Sequence, residues 1–178
     1  MGTLKTEPAA ARPDLLAPPV VEALQSWPHA DQVLVAPIDP GLADTAAFCA
    51  EYEVGLDVSA NCVVVSGKRE GEVRYAACMI LATTRADVNN AVRRFLDVRK
   101  ASFAPMVEAV ALTDMEYGGI TPIGLPAGWP VLVDARVAAT EMVIIGSGVR
   151  RSKIALPGRL LAELPRATVI EDLAKPVS

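Results

Sequence analysis

Apolar and polar positions along the chain switch between a helical period and a strand period. Val21, Leu24 and Trp27 share one side of Val20 to Trp27, which predicts a short helix. Gln32 to Ile38 reads as a strand, and Asp39-Pro40-Gly41 as the turn that ends it. Asp44 or Thr45 can then cap a helix running to about Tyr52. The β-branched run Asn61 to Ser66 predicts a buried strand, Gly67 to Gly71 a hairpin turn, and Val73 to Leu81 the return strand. Asp87 to Leu96 and Pro105 to Leu112 read as helices, the second with proline in its first turn. Val131 to Val133, Met142 to Ile145 and Lys153 to Leu156 read as buried strands. Pro157 to Leu164 reads as a helix, and Ala167 to Leu173 closes the domain. The Ala- and Pro-rich Met1 to Pro19 reads as a flexible tail, leaving residues 20–175 as one domain.

One stretch fits neither period. Thr113 to Pro130 holds Gly118, Gly119, Pro122, Gly124, Pro126, Gly128 and Pro130, too many helix breakers for a helix and a poor set for a strand. Yet Ile120, Ile123, Leu125 and Trp129 are apolar, so the stretch is not a solvated linker. Fixed proline angles, permissive glycines and apolar side chains together describe a shaped wall. Pro122 also pushes Thr121 toward extended angles. Two readings stand side by side: a rigid turn joining a helix to a strand, or a backbone cradle whose free N–H groups face an anion or a carbonyl oxygen.

Composition narrows the classes. A chain of 178 residues is one domain with a real core, and 52% apolar with 4% aromatic residues means a core of Ala, Val, Leu and Ile. A net charge of −4 argues against a generally basic nucleic-acid binder while leaving room for a local basic patch. Cys49, Cys62 and Cys78 have no metal-ligand spacing and sit in apolar runs, which reads as reduced, buried thiols in a cytoplasmic protein. No run reaches transmembrane length, and the N-terminus lacks a long apolar core. His29 is the only histidine and reads as a surface residue. Arg93, Arg94, Arg99 and Lys100 read either as a solvated face at a helix C-terminus or as contacts to RNA phosphates. Glu116 is a loop carboxylate, either solvated or a general base.

GGITPIGLP at Gly118 to Pro126, approached from Thr113 and followed by the strand PVLVDARV, resembles the YbaK/prolyl-tRNA-synthetase-associated editing domains, which carry a G-x-x-x-P loop, here Gly118 to Pro122. Ile144 to Arg150, followed by the strand Lys153 to Leu156, is similar to that family's second glycine turn, Thr45-Ala46-Ala47 to the start of its helix, and Asp134 to its strand-ending aspartate. The resemblance spans roughly Val33 to Leu173. It implies an α/β fold: a single mixed, curved, barrel-like sheet of about six or seven strands surrounded by helices. It also implies hydrolysis of the ester joining a wrong amino acid to tRNA, by a protein acting in trans.

The site residues implied are Gly118, Gly119, Thr121 and Pro122 of the loop, with substrate contacts from Asn61, Ile120, Gly146, Ser147 and Gly148. Ile120, Ile123 and Val64 are expected as apolar walls, and Arg150 and Arg151 as tRNA contacts. The partners implied are a mischarged tRNA and an aminoacyl-tRNA synthetase, with no DNA, membrane, metal or cofactor. One departure matters. The family places a lysine just before the first hairpin strand, where this chain has Ala60. Lys68 lies beyond that strand, about 20 Å away, too far to replace it. Lys153 stands where several relatives carry an acid, so the expectation is a relocated pocket ammonium, lost at residue 60 and regained at 153. The competing readings are that Lys153 points to solvent, that the chain is a catalytically silent binder of aminoacyl-tRNA or an aminoacyl-like ligand, or that the fold serves a role without RNA.

Overall fold

The computed structural model describes residues 1–177. Its strands are β1 (Glu7–Pro8), β2 (Leu34–Pro37), β3 (Ala60–Arg69), β4 (Glu72–Leu81), β5 (Thr84–Ala86), β6 (Ala101–Phe103), β7 (Val131–Asp134), β8 (Val143–Gly146), β9 (Ser152–Leu156), β10 (Ala167–Ile170) and β11 (Ala174–Pro176). Its α-helices are α1 (Pro18–Ser26), α2 (Thr45–Tyr52), α3 (Arg93–Leu96), α4 (Met106–Thr113) and α5 (Ala135–Ala138).

The strands form a five-stranded mixed sheet, β10-β7-β4-β3-β6, a four-stranded antiparallel sheet, β1-β2-β9-β8, and the small pair β11-β5. In the larger sheet β7 runs parallel to both β4 and β10. Ser59, just before β3, makes a parallel bridge to Ile144 of β8, where the two main sheets meet. The mixed α/β fold is the one expected, although the strands do not close into a barrel.

Burial explains the layering. Val35, Ile145, Ile154 and Leu156 of the smaller sheet face Met79, Leu81, Val131 and Val133 of the larger, and α1 contributes Val20 and Leu24 to the same cluster. The opposite face of the large sheet, with Val65, Cys78, Ile80 and Leu132, is covered by Val92, Leu96 and Leu173. The outer face of the small sheet presents Ile144 and Ala155 to Phe48 and Cys49 of α2.

Several local expectations need correction. The helix expected over Asp87 to Leu96 is a π-helical turn, Val88–Val92, running into the short α3. Gly158–Glu163 forms a 3-10 helix rather than an α-helix. The segment ahead of Pro105 forms β6, whose Phe103 pairs with Val65. α5 was not expected; Asp134 caps it by accepting from the Arg136 N–H at 2.9 Å.

The N-terminal segment is not a loose tail. Ala9, Leu15, Leu16 and Ala17 are buried in the main core, and β1 pairs with β2. Ala17 N–H donates to the Ser147 carbonyl at 3.2 Å, and Arg151 reaches the Asp14 carbonyl at 2.7 Å. The Ser152 hydroxyl donates to the Leu15 carbonyl at 2.5 Å.

Candidate functional site

A cavity of about 520 Å³ opens where α2, the start of β3, the ends of β8 and β9, and the central loop converge. Asp44 and Thr45 come from the cap and first turn of α2, and Ala60 and Asn61 from β3. Gly118 and Ile120 come from the loop, Gly146 ends β8, and Lys153 lies in β9. Six of the expected site residues therefore meet in one place: Asn61, Gly118, Ile120, Gly146, Arg150 and Lys153.

The loop is held by the second glycine turn as one backbone unit. Glu116 N–H donates to the Gly148 carbonyl at 2.8 Å, and Gly148 N–H donates to the Gly119 carbonyl at 2.7 Å. The Glu116 carboxylate accepts from the Arg150 N–H at 2.9 Å, so it serves as a turn acceptor. A Cβ on Gly146 would stand 2.5 Å from the Gly119 oxygen and 2.7 Å from the Ile120 oxygen, so only glycine lets β8 come this close to the loop. Gly118 has φ +81°, which side-chain-bearing residues rarely adopt, and a Cβ there would meet the Arg150 guanidinium at 2.6 Å. Gly119 N–H is not free to polarise a substrate carbonyl, because it donates to Glu116 O at 3.0 Å. Among the described residues, the N–H groups of Gly118 and Ile120 have no such acceptor.

Lys153 supplies the cavity's buried cation. It is 9% exposed, and its Nζ donates to the Ala43 carbonyl at 3.3 Å and lies 5.2 Å from the Phe48 ring centroid. Burial pushes its pKa below the ordinary lysine value; Arg150 acts in the same direction, while Cys49 and Asp44 oppose it. Ala60 lines the same cavity from β3, so a cation on β9 and a small residue on β3 share one space. Asn61 is oriented by Thr45, whose hydroxyl donates to Asn61 Oδ1 at 2.7 Å. Cys62 also borders the cavity, and desolvation pushes its thiol pKa well above the usual range.

Other expected residues lie elsewhere or, like Arg150, have their polar groups engaged within the chain. Thr121 is fully buried, its N–H approaches the Met115 sulfur at 3.5 Å, and its hydroxyl has no partner among the described residues. Pro122 and Ile123 line a different groove. The Ser147 hydroxyl sits between the Val149 and Ser152 carbonyls, 3.1 Å from each, and Gly148 packs on Ala17. Both residues hold the turn together. Arg150 spends its guanidinium on the Tyr117 and Pro40 carbonyls, and Arg151 on Asp14. Val63 lines the cavity and Val64, which is buried, does not. Arg94 lines a separate depression with Phe95 and Asp172. The sequence reading missed Asp44, Cys62 and Tyr117 as lining residues; the only available signal was the cap position of Asp44.

Fold and cavity together define a single α/β domain with a loop-walled cavity. The chain belongs to the aminoacyl-tRNA editing domain family, whose model matches residues 39–164. Among solved structures, it is similar to a candidate trans-editing enzyme for prolyl tRNA synthetase, with TM-score 0.73 and 18% identity over 87% of this chain and 94% of that one. A hypothetical protein matches with TM-score 0.68 and 21% identity over 80% of this chain and 90% of that one. A scaffold protein from computational epitope grafting gives TM-score 0.74 and 17% identity over 87% and 95%. At these identities the likeness concerns the fold. No curated protein matches the chain in sequence. No helix among the described residues is long and apolar enough to cross a membrane.

Proposed function

We propose that this chain is a free-standing aminoacyl-tRNA deacylase that hydrolyses the ester of a mischarged tRNA in trans, in the cytoplasm. The observation that supports this reading best is that the buried Lys153 lines the same cavity as Gly118 and Ile120 of the glycine loop, where the family's lysine position holds Ala60. An aminoacyl ester is already activated, so positioning and carbonyl polarisation can supply most of the catalysis. Lys153 and the Gly118 and Ile120 N–H groups are the donors for the developing oxyanion. Water adds to the carbonyl carbon, and the ribose oxygen departs as a hydroxyl, leaving a free amino acid and tRNA. Asn61 orients the ribose, and Ile120 and Val63 limit the side chain. Apolar size selection of this kind is worth only about 1–3 kcal/mol per methylene, which suits a sieve acting after a synthetase. That synthetase is the partner the reading implies.

The test is deacylation of alanyl-, seryl-, threonyl- and cysteinyl-tRNA by the wild type, Lys153→Ala and Gly118→Ala. Hydrolysis of one species, reduced about 100-fold or more by Lys153→Ala, is the expected result. Ala60 supports a second reading, a silent binder; tRNA binding without hydrolysis across the panel would establish it and end the first.

A further inference from the structure

Three charged side chains line the Lys153 cavity, and only one of them is negative. Lys153 and Arg150 are the cations. Both spend donors on backbone carbonyls, Lys153 on Ala43 and Arg150 on Tyr117 and Pro40. Asp44 is the carboxylate, exposed at the cap of α2. Its Oδ1 accepts from the Ala46 and Ala47 N–H groups at 3.2 and 3.4 Å, which holds the side chain in place. Its Oδ2 has no hydrogen-bond partner among the described residues, and Asp44 makes no ion pair among them. Its charge still reaches Lys153, where it opposes the loss of the proton that burial and Arg150 favour. The next residue, Thr45, holds Asn61 through its hydroxyl, so the carboxylate stands one position from the group that fixes the ribose contact.

An aminoacyl ester brings a cation of its own. Its α-ammonium sits on the carbon next to the carbonyl that water attacks. Among Lys153 and Arg150 alone that ammonium would be repelled, and like charges brought together on binding are costly. We propose that Asp44 receives the α-ammonium of the aminoacyl group through its unshared oxygen, and so selects esters that carry a free amine. The proposal rests on the deacylase reading. The contact is a charge-assisted hydrogen bond. Because Asp44 is exposed, water screens the pair and keeps the gain modest. Because the cap already fixes the carboxylate, little side-chain freedom is lost on binding. An ester whose amine is acylated, as in a peptidyl-tRNA, offers no cation to Asp44 and is disfavoured.

The experiment is an NMR titration of the full chain with two adenosines that cannot be hydrolysed as esters, 3′-deoxy-3′-(L-alanylamino)adenosine and its L-lactoylamino counterpart. They are nearly the same shape and differ in an ammonium against a hydroxyl. The wild type is compared with Asp44→Asn and Asp44→Ser. Both replacements are good helix caps without a charge, so each isolates the carboxylate, and circular dichroism checks that each is folded. The wild type is expected to bind the alanyl compound about tenfold more tightly than the lactoyl one, and both variants to bind the two alike. Equal affinities in the wild type overturn the proposal, as does a preference kept in both variants or binding of neither compound. Deacylation of the charged tRNA panel is measured alongside. An Asp44-dependent preference without deacylation would end the deacylase reading and keep the ammonium contact. Deacylation with an Asp44-independent preference would do the reverse.

Discussion

The central loop and the N-terminal segment are both irregular and proline-bearing, yet they are ordered by opposite means. The loop is ordered by its own backbone: positive φ at Gly118, proline at 122, and N–H to carbonyl bonds with the turn after β8. Residues 1–17 are ordered by what they touch. Leu15 and Leu16 enter the core, and the Asp14, Leu15 and Ala17 backbone groups tie down Arg151, Ser152 and Ser147. The N-terminal segment thus braces the very turn that holds the loop. A wall can thus be written locally while its support is written far away in sequence.

Removing the brace should have the largest effect on stability. Leu15 and Leu16 are each worth about 1.5–3 kcal/mol by burial, and a whole domain has about 5–15 kcal/mol to lose. Deletion of residues 1–17 is therefore expected to abolish cooperative thermal unfolding, followed by circular dichroism. A truncated chain melting within a few degrees of the full one would return the segment to the status of a tail.

Gly146→Ala comes next and tests the loop side. The new methyl would overlap two backbone oxygens that belong to a hydrogen-bonded unit, so the loop must shift as a body. A loss of about 2–3 kcal/mol is expected, with deacylation lost as well, measured by denaturant melts and ester hydrolysis. Gly118→Ala should cost less, about 1–2 kcal/mol from the left-handed backbone, because the only atom in the way is the end of the flexible Arg150. Arg150→Ala should recover none of the backbone part, and a double variant separates the two contributions.

These contrasts explain what was legible in the sequence. Strand β3 was readable from the β-branched run Val63 to Val65, and β4, β7, β8 and β9 from short, largely apolar runs bounded by turn residues. The loop was readable because its Gly and Pro density excludes regular structure. The brace was not, since Ala- and Pro-rich composition looks the same whether a segment is solvated or docked, and two leucines set no period. Thr121 and Pro122 could be placed in the motif but not on a side of the wall, because the chain passes from one cavity to the other between Ile120 and Pro122. Lys153 could be located near the second turn, but its burial depended on Phe48 and Ala43, both more than 100 positions away.

Lys153 gives the smallest stability effect and separates support from chemistry. Its folded pKa lies below the ordinary lysine value because burial disfavours the ammonium. Between the folded and unfolded values, the unfolded chain binds the extra proton, so wild-type stability rises with pH through the folded pKa and levels off above the unfolded one. Lys153→Met has nothing to desolvate and should lose that rise. At neutral pH it should match the wild type or exceed it by about 1 kcal/mol, the pattern seen when a buried charge is replaced by an apolar side chain of similar length. Activity should behave in the opposite way. If the ammonium is the oxyanion partner, wild-type hydrolysis falls as pH rises through the folded pKa, and Lys153→Met is slow at every pH. A variant that melts several degrees lower would make the Ala43 and Phe48 contacts the residue's main role. One that keeps full activity would shift the oxyanion role from Lys153 to the Gly118 and Ile120 N–H groups.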